Sequence, residues 1–148
     1  MMHAYDETYV YDAQNNIGDM IHFAVSAENL TAEAFFDVFL KSPISKEIER
    51  GNPKYIAGFS GIELLQEVLG QIINPTKIKY TIEKSPEFWA GWVLAFYQWY
   101  TGKTFAKINQ FLPMSKILSL YKTHHEADIQ KFVETANSFE KRKQQCQH

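Results

Sequence analysis

Apolar residues return every three or four positions along most of this chain, the spacing that lays one buried stripe along a helix. Ala13, Ile17, Met20, Ile21 and Ala24 keep that period and predict a first helix from about Glu7 to Ala27. Thr31 is placed to cap a second, because its hydroxyl accepts one of the amide protons that a helix start leaves unpaired. Glu33 falls in its first turn, and Phe35, Phe36, Phe39 and Leu40 form its apolar face. Pro43 opens a short helix that Gly51-Asn52-Pro53 stops with a turn. Ser60-Gly61-Ile62-Glu63 has the capping-box pattern, in which serine and glutamate each bond the other's backbone amide. Ile62, Leu65, Val68, Leu69 and Ile72 are the core stripe behind it, and Asn74-Pro75 is its end. Residues 75–84 alternate Ile78, Tyr80 and Ile82 as a strand would. A lone strand has nothing to pair with, so an extended loop is expected there.

Ser85-Pro86-Glu87 is a helix opening in three parts: a capping oxygen, a proline where no useful N–H is lost, and an acid facing the positive end of the dipole. From Phe88 to Tyr97 no residue is more polar than tyrosine. A helix that is apolar all round is buried, so this one should be central, with Gly102 closing it. Thr104 to Gln110 and Pro113 to Tyr121 read as short helices, and Thr123-His124-His125-Glu126 as a second capping box. The last helix follows with Ile129, Phe132, Val133, Ala136 and Phe139 as its stripe. The pattern therefore predicts an all-α fold, a compact single-domain bundle of six or seven helices around residues 86–101. The domain spans residues 1–140, and residues 141–148, opening Lys141-Arg142-Lys143, are read as a polar basic tail.

Composition agrees and narrows the classes. The 148 residues are 45% hydrophobic and 22% charged with net charge −2, which excludes a disordered chain, a collagen-like repeat and a strongly basic nucleic-acid coat. The longest apolar stretch, Phe88 to Trp99, falls well short of the roughly 20 residues a bilayer span needs, and no membrane partner is expected. A single cysteine, Cys146, allows no intrachain disulfide, and the N-terminus has no signal-peptide pattern, so a reducing cytoplasmic setting is expected. Charge is unevenly spread. Residues 1–40 hold seven acids and no Lys or Arg, which leaves residues 41–148 at +5, and residues 101–122 hold four lysines and no acid. Either acidic helices face basic ones or present solvated faces, or the two regions are docking surfaces for charged partners.

Chemistry-bearing motifs are few. His124-His125-Glu126 with Asp128 offers imidazole and carboxylate, but adjacent helical histidines diverge and no second pair exists unless His22 or Asp19 is brought in. No metal, no cofactor and no catalytic set is expected, since neither a nucleophile elbow nor a phosphate-cradling glycine loop is present. Residues 104–121 have a helix-turn-helix outline, with Phe105 and Ile108 on Ile117, Leu118 and Tyr121. In that reading Lys103, Lys107, Ser115, Lys116, Ser119 and Lys122 face a nucleic acid, though no arginine is present there to read guanine. Gln98, an amide in the most apolar helix, needs a buried network or a ligand. A small-molecule pocket under Tyr55, Gln98 and His125 is a further alternative.

Three stretches carry a resemblance: Gly51-Asn52-Pro53-Lys54-Tyr55 through Ser60-Gly61-Ile62-Glu63-Leu64, then Ser85-Pro86-Glu87-Phe88-Trp89 through Tyr97-Gln98-Trp99-Tyr100-Thr101-Gly102, then His125-Glu126-Ala127-Asp128-Ile129 with Lys131-Phe132. Over roughly residues 10–135 the chain resembles the N-terminal domain of a family of small bacterial regulators. Longer members continue into a Cro/repressor-type helix-turn-helix domain, whereas this sequence ends soon after Lys143. Such genes often lie beside a small ADP-ribosyltransferase-like toxin candidate. The resemblance thus implies a non-enzymatic, antitoxin-like module that neutralises or senses a protein partner, with a homodimer left open. Its matched motif residues Asn52, Lys54, Tyr55, Glu63, Gln98, Tyr100, His125, Glu126 and Asp128 are the implied polar binding cluster.

Overall fold

In a computed structural model, residues 3–80 and 84–146 are described, and the described residues form ten α-helices and no strand. After a 3-10 turn at Glu7–Tyr9 they run α1 Val10–Ser26, α2 Ala32–Lys41, α3 Pro43–Glu49, α4 Pro53–Ile56 and α5 Gly61–Leu69. A 3-10 turn at Pro75–Lys77 precedes α6 Pro86–Thr101, α7 Phe105–Phe111, α8 Met114–Ser119, α9 Tyr121–His124 and α10 Ile129–Cys146. The all-α architecture is the one the pattern predicts. Helices number more than the six or seven expected; two of the ten, α4 and α9, of four residues each, are single turns that no periodicity can register.

α6 is the axis of the fold, with ten of its sixteen residues buried. Ser85 caps its start by accepting the Phe88 N–H, and Gly102 closes its end. α1 lies along α6 and also packs on α5. This contact depends on two glycines. A Cβ at Gly91 would stand 2.8 Å from both Gly18 Cα and the Ile17 carbonyl, and one at Gly18 would stand 2.8 Å from the Phe88 ring. The two backbones meet with no side chain between them.

On the other flank Phe132 of α10 sits edge-on to Trp89 and Tyr97, ring centres 5.8 and 6.2 Å away. Tyr97 donates its phenol proton to Asn137 Oδ1 at 2.7 Å, and burial raises its pKa above the ordinary tyrosine range. Phe36 and Phe39 of α2 pack on Phe105 of α7, closing the core. The N-terminal segment ties to the end of α6, where Trp99 Nε1 donates to the Tyr5 carbonyl at 2.7 Å and His3 stacks on the Trp99 ring.

Four local expectations are corrected. Asn52-Pro53 is a helix start as well as a stop, since the Asn52 side chain accepts the Lys54 N–H and Pro53 opens α4. α5 ends at Leu69 rather than at Asn74, because Gly70 takes the left-handed conformation (φ 68°) that a residue without Cβ adopts at little cost. The chain then turns so that Ile73 is buried and Ile72 is 87% exposed, with Gln66 Oε1 accepting the Ile73 N–H. Thr123 caps nothing: it lies inside α9, where its Oγ1 bonds the Leu120 carbonyl at 3.2 Å and meets His124 Nδ1 at 2.6 Å. Asp128 takes the role instead, its Oδ1 accepting the Gln130 N–H at 2.9 Å. Finally, residues 141–146 continue α10 rather than forming a separate tail. Of the expected loop at 75–84, Thr81, Ile82 and Glu83 lie outside the described residues, as do residues 147–148.

Candidate functional site

The residues of the implied polar cluster are employed mostly within their own turns. Asn52 caps α4 and donates from Nδ2 to Glu47 Oε2 at 2.8 Å. Glu63 completes the Ser60 capping box, and Asp128 precedes α10 as described. Lys54 is exposed, with its ammonium 5.4 Å from the Tyr55 ring centre. Tyr100 stacks on Phe96, and His125 stacks on Tyr121 while its Nδ1 bonds the Tyr121 carbonyl. Among the described residues Glu126 pairs only with its neighbour His125, at 3.7 Å. Gln98 is 1% exposed; its Nε2 donates to the Lys103 carbonyl at 3.0 Å, and its Oε1 has no partner among the described residues. These bonds join none of the three stretches to another. Tyr55 lines a surface groove with Val38, Pro43, Ile44 and Val68, in which neither Gln98 nor His125 takes part.

Asp19 and His22 come together with each other, away from His124 and His125. They line a recess at the start of α6 with Lys79, Lys84 and Ser85. His22 Nδ1 and Ser85 Oγ lie 2.7 Å apart, and the same oxygen accepts the Phe88 N–H at 3.1 Å. The bond ties α1 to the cap of α6. Burial raises the Asp19 pKa, against the opposing pull of Lys84 and His22. The recess holds about 40 Å³. That is room for water and far below the roughly 300 Å³ of a small-molecule site. Its geometry is that of a structural tie. Among the described residues no group of three or more His, Cys, Asp or Glu is gathered to hold a metal ion.

The helix-turn-helix outline is present as α7 and α8, with Lys107, Ser115, Lys116 and Ser119 exposed on it and Lys122 exposed on α9 beyond it. Ser119 Oγ bonds the Lys116 carbonyl, and Lys103 pairs with Glu140 of α10 at 3.3 Å. What the sequence reading missed is that α10 joins this surface. Lys143 Nζ donates to the Gln110 carbonyl of α7 at 2.7 Å. Phe139 lies between two cations, the Lys116 ammonium 4.5 Å and the Arg142 guanidinium 5.5 Å from its ring centre. A trough results, lined by Gln110, Phe111, Lys116, Phe139, Arg142 and Lys143. It adjoins a second one that adds Lys107 and Gln144. The only available signal was the Phe139-x-x-Arg142 spacing at the end of the last stripe, which puts both on one helix face.

The acidic segment does not face this one through ion pairs. Among the described residues, none of the seven acids of residues 1–40 is in an ion pair. No helix of the described residues is long and apolar enough to cross a membrane. Compared with protein-family models, with curated proteins and with solved structures, the chain matches none.

Proposed function

We propose that this chain is a non-enzymatic regulatory module of antitoxin type, which acts in the reducing cytoplasm by holding a protein partner encoded by a neighbouring gene. One observation carries the reading: charge of both signs is left unpaired on the helical body. The acids of residues 1–40 are free of ion pairs among the described residues, while α7, α8 and α10 gather lysines and an arginine around two phenylalanines. Opposed fields of this kind steer a charged partner and set its orientation, and a few buried aromatics then supply most of the affinity. Tyr11, 70% exposed and next to Asp12, is one such anchor on the acidic side.

The test is co-expression of the full chain with the neighbouring gene product, followed by affinity capture and measurement of their ratio. A stable complex at physiological salt is the expected result. A folded neighbour that passes through unretained overturns the proposal. Nucleic-acid binding is the second reading, favoured by the arrival of Arg142 and Lys143 beside Lys107 and Lys116. It requires an affinity for DNA that falls steeply with salt in a gel shift.

A further inference from the structure

The trough between α7, α8 and α10 has two features that ask for the same kind of occupant. Its floor is apolar, made by the half-buried ring of Phe139 and by the small exposed part of Phe111, a core residue only 6% exposed. Its rim is cationic, made by Lys107, Lys116, Arg142 and Lys143. Lys143 is held by the Gln110 carbonyl, but among the described residues Lys107, Lys116 and Arg142 have no anionic partner. The one acid on this wall, Glu140, is occupied by Lys103. Cations resting on an aromatic face gain only about 0.5–1 kcal/mol each at exposed sites, so Phe139 leaves Lys116 and Arg142 open to a stronger anionic ligand.

We infer that this trough docks an acidic amphipathic segment of a partner protein, with its apolar side chains on Phe111 and Phe139 and its carboxylates on Lys107, Lys116 and Arg142. The inference rests on the protein-binding reading above and names the surface that serves it. Charge complementarity selects an acidic ligand, and the apolar floor selects a peptide over a phosphodiester chain. A nucleic-acid backbone would leave Phe111 and Phe139 without apolar contact. The chain's net charge of −2 and its unpaired acids also oppose a long polyanion, whereas a short acidic segment meets only the local positive field.

The experiment uses the full chain and a fluorescent helical peptide with leucines at i, i+3, i+4 and i+7 and glutamates elsewhere, read by anisotropy. Two control peptides replace the glutamates by glutamine or the leucines by serine, and a labelled DNA duplex is the nucleic-acid probe. The variant is Lys116→Glu with Arg142→Glu, both on exposed residues, with circular dichroism to verify the fold. The acidic peptide is expected to bind, to lose about tenfold or more in the variant, and to lose affinity in both control peptides. Absence of binding, equal affinity for the variant, or indifference to the leucines overturns the inference. Tighter binding of the duplex, lost in the variant, assigns the surface to nucleic acid and overturns it as well. Capture of the neighbouring gene product separates the two proposals: retention by wild type and variant alike sinks the trough and spares the protein-binding reading. Failure with both sinks that reading, while the peptide result still decides the trough.

Discussion

His124 shows how one side chain's surroundings decide its chemistry. It is 9% exposed, with Thr123 Oγ1 at 2.6 Å from Nδ1 and Thr135 Oγ1 at 2.9 Å from Nε2, so it links α9 to α10. Burial and the neighbouring Lys131 lower its pKa from the usual 6.5. The unfolded chain then takes up the proton more readily than the folded one, so the stability this group supplies is present above that pH and is lost as pH falls below it. The melting temperature is expected to drop between pH 7 and pH 5. A His124→Asn variant, lower at pH 7, should show a flatter profile over the same range; equal slopes would refute this assignment. Gln98 is the second residue whose environment decides. Gln98→Leu gives up one hydrogen bond, worth about 1 kcal/mol, and removes a buried unpartnered oxygen that costs about 1–3 kcal/mol. Urea unfolding should place the variant within about 1 kcal/mol of wild type, and a larger loss would mean that Oε1 has a role in folding.

Between elements, the contact that organises the molecule is α1 on α6. Gly91→Ala improves helix propensity by about 1 kcal/mol. The new methyl meets the Ile17 carbonyl and Gly18 Cα, which are backbone atoms with no rotamer to yield. Overpacking of this kind costs about 1–3 kcal/mol even where side chains can move, so the clash wins. Gly91→Ala should lower stability by about 2 kcal/mol in urea, and a stabilised variant would show that the two helices do not touch as described. Caps tell the complementary story. Those on α2, α5 and α6 stand where sequence places them, because a serine or threonine bonding an amide three residues on is a local event. The Thr123 box fails although its letters are right, because Thr123 lies inside α9 and its hydroxyl is engaged by the Leu120 carbonyl and His124.

At the scale of the whole molecule the feature to test is the division of charge. If it steers a partner, the association rate with the neighbouring gene product should fall as salt shortens the screening length from about 10 Å at 0.1 M to about 3 Å at 1 M, with a smaller change in dissociation. Stopped-flow mixing at several salt concentrations measures this, and a rate indifferent to salt would leave the charged surfaces without a part in recognition. Much of the fold was legible beforehand: the central helix, the stripes of α1, α2 and α10 and most caps follow from side-chain period and local hydrogen bonding. The candidate surface was only half legible, since Lys107 and Lys116 stand out in the sequence while Phe139 reads as part of a stripe and Arg142 and Lys143 as part of a tail. Sequence by itself determined which residues are helical, which faces are apolar and how charge divides between the first forty residues and the rest, because each of these depends on neighbours within a turn or on simple composition. Only the tertiary structure decided that α10 lies beside α7 and α8, that Gly18 meets Gly91, and that Asp19, His22 and Ser85 share one recess. Those contacts join residues far apart in the chain, and their formation depends on how whole faces fit together in space.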